Sequence, residues 1–244
     1  VTPTLELVLV RPKEDGNVGA VARVARNFGV DGIVLVAPRA ALGPEARRRS
    51  MMGLDLLEHA RVVPTFEAAV AGADLVVGST DTSTGRSNAY LRRSVSPERL
   101  GEMLRPLEGT VAIVLGPEDN GLGRDELRRC DLLVHVPARR EAPTLNLSHA
   151  AALILYGILR GRAPGDPAST PAPESVPLNG REKELLLTRI ADVAERTGYP
   201  AHKRQGLVLL VRRLLGRATP SEAELRMLLG FMRGIARRER RAHG

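Results

Sequence analysis

The 244-residue chain is poor in several residue types that would otherwise suggest a function. It has one cysteine, Cys130, so no intramolecular disulfide is possible and a reducing, cytoplasmic setting is expected. Cys130 precedes a strand-like run and reads as a small buried thiol rather than a nucleophile. Tryptophan is absent and aromatics make up 2% of the chain (Phe28, Phe66, Phe231, Tyr90, Tyr156 and Tyr199), which excludes a long platform for stacking single-stranded bases. No apolar run is long enough to span a bilayer, so no membrane segment is expected. The N-terminus opens on strand-like Leu5–Val10 without a charged lead, so no secretory signal is expected either. Glycine-rich phosphate loops of the GxxxxGK[ST] and GxGxxG kinds are missing, which removes P-loop and ordinary dinucleotide readings. The five histidines lack metal-ligand spacing, so no metal site is expected. Ser79 and Ser148 lack a nucleophile-elbow setting.

Positive charge, in contrast, is in excess: the formal net charge is +8 and only three of the cations are lysine. The excess is uneven. Residues 1–163 carry 21 Lys+Arg against 19 Asp+Glu, whereas residues 177–244 carry 15 against 7. A polyanion is the expected partner class, with the tail as its contact surface. The alternative is that basic helix faces are simply solvated. Arginine suits bidentate phosphate contacts, although codon bias gives the same composition.

Hydrophobic residues reach 43%, enough for a sizeable core. Nearly continuous apolar runs at Leu5–Val10, Gly32–Ala37, Asp74–Ser79, Thr110–Gly116 and Asp131–Pro137 read as buried strands. Helical periodicity separates them. Val18–Gly29 has apolar residues at 18, 21, 22, 25 and 28, with Asn17 in the N-cap position and Gly29 just past the end. Pro44–His59 (interrupted near Gly53), Phe66–Ala71, Pro97–Leu107, Arg124–Arg129 and Asn146–Arg160 complete the set. This alternation predicts an α/β fold, a mostly parallel sheet with helices on both faces. Five prolines between Ala163 and Pro177 mark a linker. Beyond it, helices are expected over Asn179–Thr197, Ala201–Leu215 and Ser221–Arg240, the last opened by a Ser221/Glu224 capping box. The expected division is therefore 1–162, a 163–178 linker, and a small all-α extension over 179–244.

Three blocks lie at strand–helix junctions: Asn17-Val-Gly-Ala-Val-Ala-Arg23, Gly116-Pro-Glu-Asp-Asn-Gly-Leu122 and Thr144-Leu-Asn146-Leu-Ser148. In this order, over residues 5–162, they resemble the three motifs of the SPOUT 2′-O-methyltransferases of the SpoU branch. The segment Leu210–Ile235 resembles the C-terminal extension of bacterial tRNA methyltransferases that modify nucleotide 32 of the anticodon loop. The resemblance implies a trefoil knot in the C-terminal half of the sheet, a homodimer, S-adenosylmethionine as cofactor and tRNA as substrate.

By matching position it implies cofactor contacts at Ser79, Thr80, Asp81, Leu115, Gly116, Glu118, Val136, Thr144, Leu145 and Asn146, many through main chain. Thr144 stands where the family usually has serine and keeps the hydroxyl. Catalytic positions fall on Asn17 and Arg23. Arg23 is either the base for the ribose 2′-hydroxyl or, since guanidinium stays protonated, a clamp on the neighbouring phosphate. Glu118 either holds loop amides or reaches a second subunit; a plain turn residue is the alternative. Arg86, Arg212, Arg213 and Arg217 are the candidate RNA contacts. The rival readings are a 2′-O-methyltransferase for another tRNA or ribosomal RNA nucleotide, and a non-enzymatic RNA-binding module on the same fold.

Overall fold

The computed structural model describes residues 3–80, 94–139, 141, 144–162, 176–177 and 180–242. Its centre is a seven-stranded sheet formed by β1 (Thr4–Val10), β2 (Gly32–Val36), β3 (Arg61–Val63), β4 (Leu75–Thr80), β5 (Ser94–Val95), β7 (Thr110–Leu115) and β8 (Leu132–His135). The order is β3-β2-β1-β7-β4-β8-β5, and every pairing is parallel. Parallel strands need crossovers, which the helices supply. These are α1 (Asp15–Asn27), α2 (Pro44–Ser50), a 3-10 turn at Met51–Gly53, α3 (Leu54–Glu58), α4 (Phe66–Val70), α5 (Pro97–Leu104), α6 (Arg124–Arg129) and α7 (Leu147–Arg162).

The strand alternation sorts the core into two layers. Leu5, Leu7 and Leu9 of β1 join Ile33, Leu35, Ile113 and Val134 beneath α1, α5 and α7. Val8 and Val10 point the other way, with Val34, Val36, Ala112 and Val114, toward Phe66 of α4 and Cys130. Both faces are covered, which explains why the strands read as unbroken apolar runs. Each fully buried leucine here, such as Leu7 or Leu9, contributes about 1.5–3 kcal/mol. Cys130 is buried, and burial pushes its thiol up to about 12, as an inert structural cysteine requires.

Some local expectations are corrected. Helix α1 starts at Asp15, so Asn17 lies in its first turn and is not the N-cap. The Asp15 carboxylate holds the backbone amides of Ala41, Leu42 and Gly43 at 2.7, 3.2 and 2.8 Å, which fixes this helix end to the loop after β2. Helix α5 stops at Leu104, and the Leu107 end of the expected helix is a two-residue strand, β6 (Leu107–Glu108). Pro106 has no N–H with which to continue the helical bonding. β6 pairs with β9 (Val176–Pro177), at the end of the proline-rich stretch. The Thr65 hydroxyl caps α4, accepting from the Ala68 amide at 3.2 Å.

The tail forms α8 (Gly180–Arg196), α9 (Ala201–Ala218) and α10 (Glu222–Ala242). Ser221 and Glu224 form the expected capping box. Leu186, Leu187, Leu215, Leu225 and Leu229 make a small core of the tail's own. The tail is also fastened to the sheet through buried charges. Asp131, fully buried at the start of β8, accepts from the Val76 amide at 2.8 Å and the Lys183 ammonium at 2.7 Å. Arg212 reaches the other Asp131 oxygen at 3.3 Å and also pairs with Glu184. The Lys183 ammonium donates a second bond to the Asp74 carbonyl at 2.7 Å. A side chain at Gly216 could not fit, since its Cβ would lie 2.6 Å from the Asp131 carbonyl oxygen.

Candidate active site

The site lies at the carboxyl ends of β1, β4, β7 and β8, where open parallel sheets gather their ligand-binding loops. The β1–α1 loop and the turn after β7 are tied together. Lys13 pairs with Asp119 at 2.5 Å, and Arg11 pairs with Glu126 at 2.5 Å. Gly116 begins that turn because the chain folds straight back on it: a Cβ there would sit 2.2 Å from the Gly121 carbonyl carbon. Gly121 itself has φ +61°, a conformation suited to glycine.

The three sequence blocks meet here in one hydrogen-bonded chain. Glu118 Oε1 accepts from Asn17 Nδ2 at 2.9 Å and from the Glu14 amide at 3.3 Å. Glu118 Oε2 accepts from the Lys13 amide at 3.1 Å. Asn17 Oδ1 accepts from Asn146 Nδ2 at 2.9 Å. Asn146 Oδ1 then accepts from the Ser148 amide and hydroxyl at 2.9 and 2.8 Å, capping α7. Burial pushes the Glu118 carboxyl up, but the bonds from Asn17 and from the backbone amides of Glu118, Lys13 and Glu14 outweigh it, so its pKa lies below the usual value. Glu118 is thus an ionised anchor with both oxygens occupied.

Beside this chain opens a cleft of about 1430 Å³, lined by Ser79, Thr80, Leu115, Gly116, Glu118, Val136, Thr144 and Leu145 among others. Every described residue expected at the cofactor either lines this cleft or, as Asn146 does, bonds to Asn17 at its edge. Asp81 lies outside the described residues, as does Arg86. The lining combines hydroxyls, main-chain amides and apolar side chains around the glycine turn, a mixture suited to a small organic ligand with polar and apolar parts. Among the described residues there is no group of three or more potential metal ligands.

Arg23 is exposed and stands away from this chain. Six residues along an α-helix turn the side-chain direction by about 600°, leaving Asn17 and Arg23 roughly 120° apart around α1. The tail arginines are also placed differently from each other. Arg212 is held by Asp131 and Glu184, Arg213 is buried with its guanidinium donating to the Leu127 carbonyl at 2.6 Å, and Arg217 is half-buried. Burial lowers the Arg213 pKa, while Arg212, despite its own burial, is raised by its carboxylate partners. The sequence also gave no sign that one wall of the cleft would be the tail, through Asp192, His202, Gln205, Gly206 and Arg212. These residues follow the proline-rich stretch, and no local pattern links them to β7 or β8.

The SpoU rRNA methylase family matches residues 4–156, which contain all three blocks of the hydrogen-bonded chain. The chain belongs to this family. It is a methyltransferase of the S-adenosylmethionine-dependent SpoU type. Relatives extend the likeness past the matched region. The chain is 31% identical over 226 residues to the tRNA (cytidine-2′-O-)-methyltransferase TrmJ of Methanocaldococcus jannaschii, covering 90% of this chain and 94% of that protein. It is 31% identical over 247 residues to the tRNA (cytidine/uridine/adenosine-2′-O-)-methyltransferase TrmJ of Pseudomonas aeruginosa, covering 93% and 92%. The crystal structure of TrmJ from Z. mobilis superposes with a TM-score of 0.71 at 29% identity, covering 97% of this SpoU chain and all of that one. These alignments take in the helical tail as well as the sheet.

Proposed function

We propose that this SpoU methylase is a tRNA ribose 2′-O-methyltransferase acting on cytidine or uridine at nucleotide 32, working as a cytoplasmic homodimer. The observation that carries this reading is the Glu118–Asn17–Asn146–Ser148 chain beside the cleft, in a protein that resembles the TrmJ enzymes over nearly its whole length. S-adenosylmethionine supplies an electrophilic methyl group on a sulfonium. Ser79, Thr80, Gly116, Val136, Thr144 and Leu145 would hold it.

The side chains define what the protein does to the acceptor. Asn17 is oriented from both ends, donating to Glu118 and accepting from Asn146, which leaves one amide hydrogen to hold the ribose oxygen. Glu118 is a poor base, since its pKa is lowered and both its oxygens already accept hydrogen bonds. Arg23 clamps the phosphate next to the target ribose, and positioning of this kind contributes several kcal/mol in favourable cases. Arg23 points about 120° away from Asn17 on the same helix, a direction compatible with service to the site of the other subunit in the proposed dimer.

A two-fold partner also suits the surface. Leu153, Tyr156 and Leu159 form an exposed apolar stripe on α7 (44%, 51% and 52% exposed), and Tyr156 packs edge-on against Phe28 at the end of α1. Exposed Met51 and Met52 lie at the 3-10 turn that packs against α1 at Gly53. Apolar groups clustered this way mark interaction surfaces. The test is methyl transfer to purified tRNA followed by nucleoside-resolved mass spectrometry. Ribose methylation at nucleotide 32 is expected; methylation mapped to another nucleotide would replace the position, and no methylation of any RNA would remove the enzymatic reading.

A further inference from the structure

The cleft extends beyond the expected cofactor loops, and one of its walls is the first half of α9. Gly206 lies there, exposed within helix α9, and a Cβ added to it would meet nothing within 4 Å. Glycine within a helix is destabilising relative to alanine, and the fold gives no packing reason for this one. Gly216 in the same helix is different, because it presses on the Asp131 carbonyl. Gly230 and Gly234 of α10 also have open surroundings, but they do not line the cleft. Gly206 is therefore a bare patch of helix backbone facing a ligand-sized space.

Its surroundings narrow the choice of ligand. His202, Gln205 and Leu209 flank it on α9, and Arg124 and Arg128 of α6 line the same cleft. Arg128 is paired with Asp125 at 3.2 Å, whereas Arg124 has no ion-pair partner among the described residues. Among the described residues no Phe, Tyr or Trp lines the cleft, and the flat surfaces they offer a base are backbone, an imidazole and guanidinium groups. The cleft is continuous with Ser79, Gly116 and Thr144, so an occupant lies next to the methyl donor.

We propose that the space between α9 and α6 receives a nucleotide of the RNA substrate, with Gly206 as the point where its base approaches the helix and Arg124 as a contact to its phosphate. This rests on the tRNA reading above, and makes the tail part of the acceptor pocket of its own subunit. Gly206 is a specificity-determining position and takes no part in the chemistry.

The test uses the full-length protein with transcribed tRNA and S-adenosylmethionine as probes. Gly206→Leu is expected to raise the KM for tRNA, and the directly measured Kd for tRNA, by about tenfold or more, with the Kd for S-adenosylmethionine unchanged. Gly206→Ala should raise the unfolding midpoint by about 2 °C and still weaken tRNA binding, a combination that a purely structural glycine would not produce. Arg124→Ala should lower the slope of log affinity against log salt by about 0.7–0.9. A folded Gly206→Leu protein with wild-type tRNA affinity overturns the proposal, as does a parallel loss of S-adenosylmethionine affinity, which would give this wall to the cofactor. If Gly206→Leu does not fold, unchanged tRNA affinity in Gly206→Ala together with an unchanged salt slope in Arg124→Ala overturns it instead. Direct binding also keeps the two readings separable: a protein that methylates a nucleotide other than 32 loses the position proposed above, while the Kd series still decides the cleft.

Discussion

Replacing Glu118 with glutamine removes one negative charge and changes one oxygen into an NH2 group. The better of the two amide orientations keeps the oxygen toward Asn17 and Glu14 and turns the NH2 group toward the Lys13 amide, where the wild-type oxygen accepts at 3.1 Å. Two donors then face each other in a half-buried position, at a cost of about 1–3 kcal/mol. The two retained bonds weaken from charge-assisted to neutral, losing roughly 1 kcal/mol each. Glu118 is partly open to solvent, so screening reduces the total to about 1.5–3 kcal/mol. For a chain of this size that lowers the unfolding midpoint by about 4–10 °C. Because Asn17 is oriented by the same carboxylate, kcat/KM for tRNA should fall about 10- to 100-fold. S-adenosylmethionine affinity should fall less than kcat/KM, since Gly116 and Gly121 shape the turn through their backbone while the Glu118 carboxylate is directed to Lys13, Glu14 and Asn17. The assay pairs thermal unfolding with steady-state methyl transfer and calorimetric cofactor binding. A Glu118→Gln protein within twofold of wild type in kcat/KM would refute the claim that this carboxylate orients Asn17 for the proposed reaction.

Mixing separately inactive Arg23→Ala and Asn17→Ala proteins after subunit exchange should restore about a quarter of wild-type activity, because half the dimers then contain one intact composite site. No recovery would place Arg23 and Asn17 in the same subunit's site. Acid should loosen the Glu118 junction: its folded pKa is depressed, so its contribution is complete above the ordinary carboxylate value of 4.5 and disappears as pH falls through the folded value. Accordingly, the stability gap between wild type and Glu118→Gln should close in urea titrations below about pH 4, and a gap independent of pH would contradict this. Asp131→Ala leaves Lys183 and Arg212 without their buried partner and should destabilise the protein by about 3–5 kcal/mol, whereas the paired change Asp131→Leu with Lys183→Met should recover much of that in denaturant unfolding.

Most of the sheet could be read from the chain because its strands are covered on both faces, so Leu5–Val10, Gly32–Ala37 and Thr110–Gly116 are unbroken apolar runs. The start of α1 could not, because the residue that anchors it, Asp15, works through the amides of Ala41, Leu42 and Gly43, far along the chain. Strands β5, β6 and β9 have two residues each and carry no period to detect. Asn17, Glu118 and Asn146 could be picked out as three separate motif positions. Their direct bonding could not, since each link joins residues more than a hundred positions apart. Lys183, Arg212 and Arg213 look in sequence like any basic helix residues facing water. The structure gives them Asp74, Asp131, Glu184 and the Leu127 carbonyl as partners.

This placement alters what the tail's charge means. An appended RNA clip would present its cations to solvent and touch the methyltransferase fold through a dispensable contact. Here two of the tail's basic residues converge on Asp131, a carboxylate with no exposed surface, and a third reaches into the crossover before it. Burying charge is costly unless it is paired, so separating the tail from the sheet would strand Asp131 as well as the tail's cations. The attachment therefore has two consequences that a solvated basic surface would not. It fixes α9 at a set distance from the glycine turn at Gly116, and it makes the width of the cleft a property of the folded unit. In the proposed mechanism, recognition of RNA and placement of the ribose at Asn17 depend on the same rigid junction, so damage at Asp131 should reach catalysis even though that residue lies at the opposite end of β8 from the site.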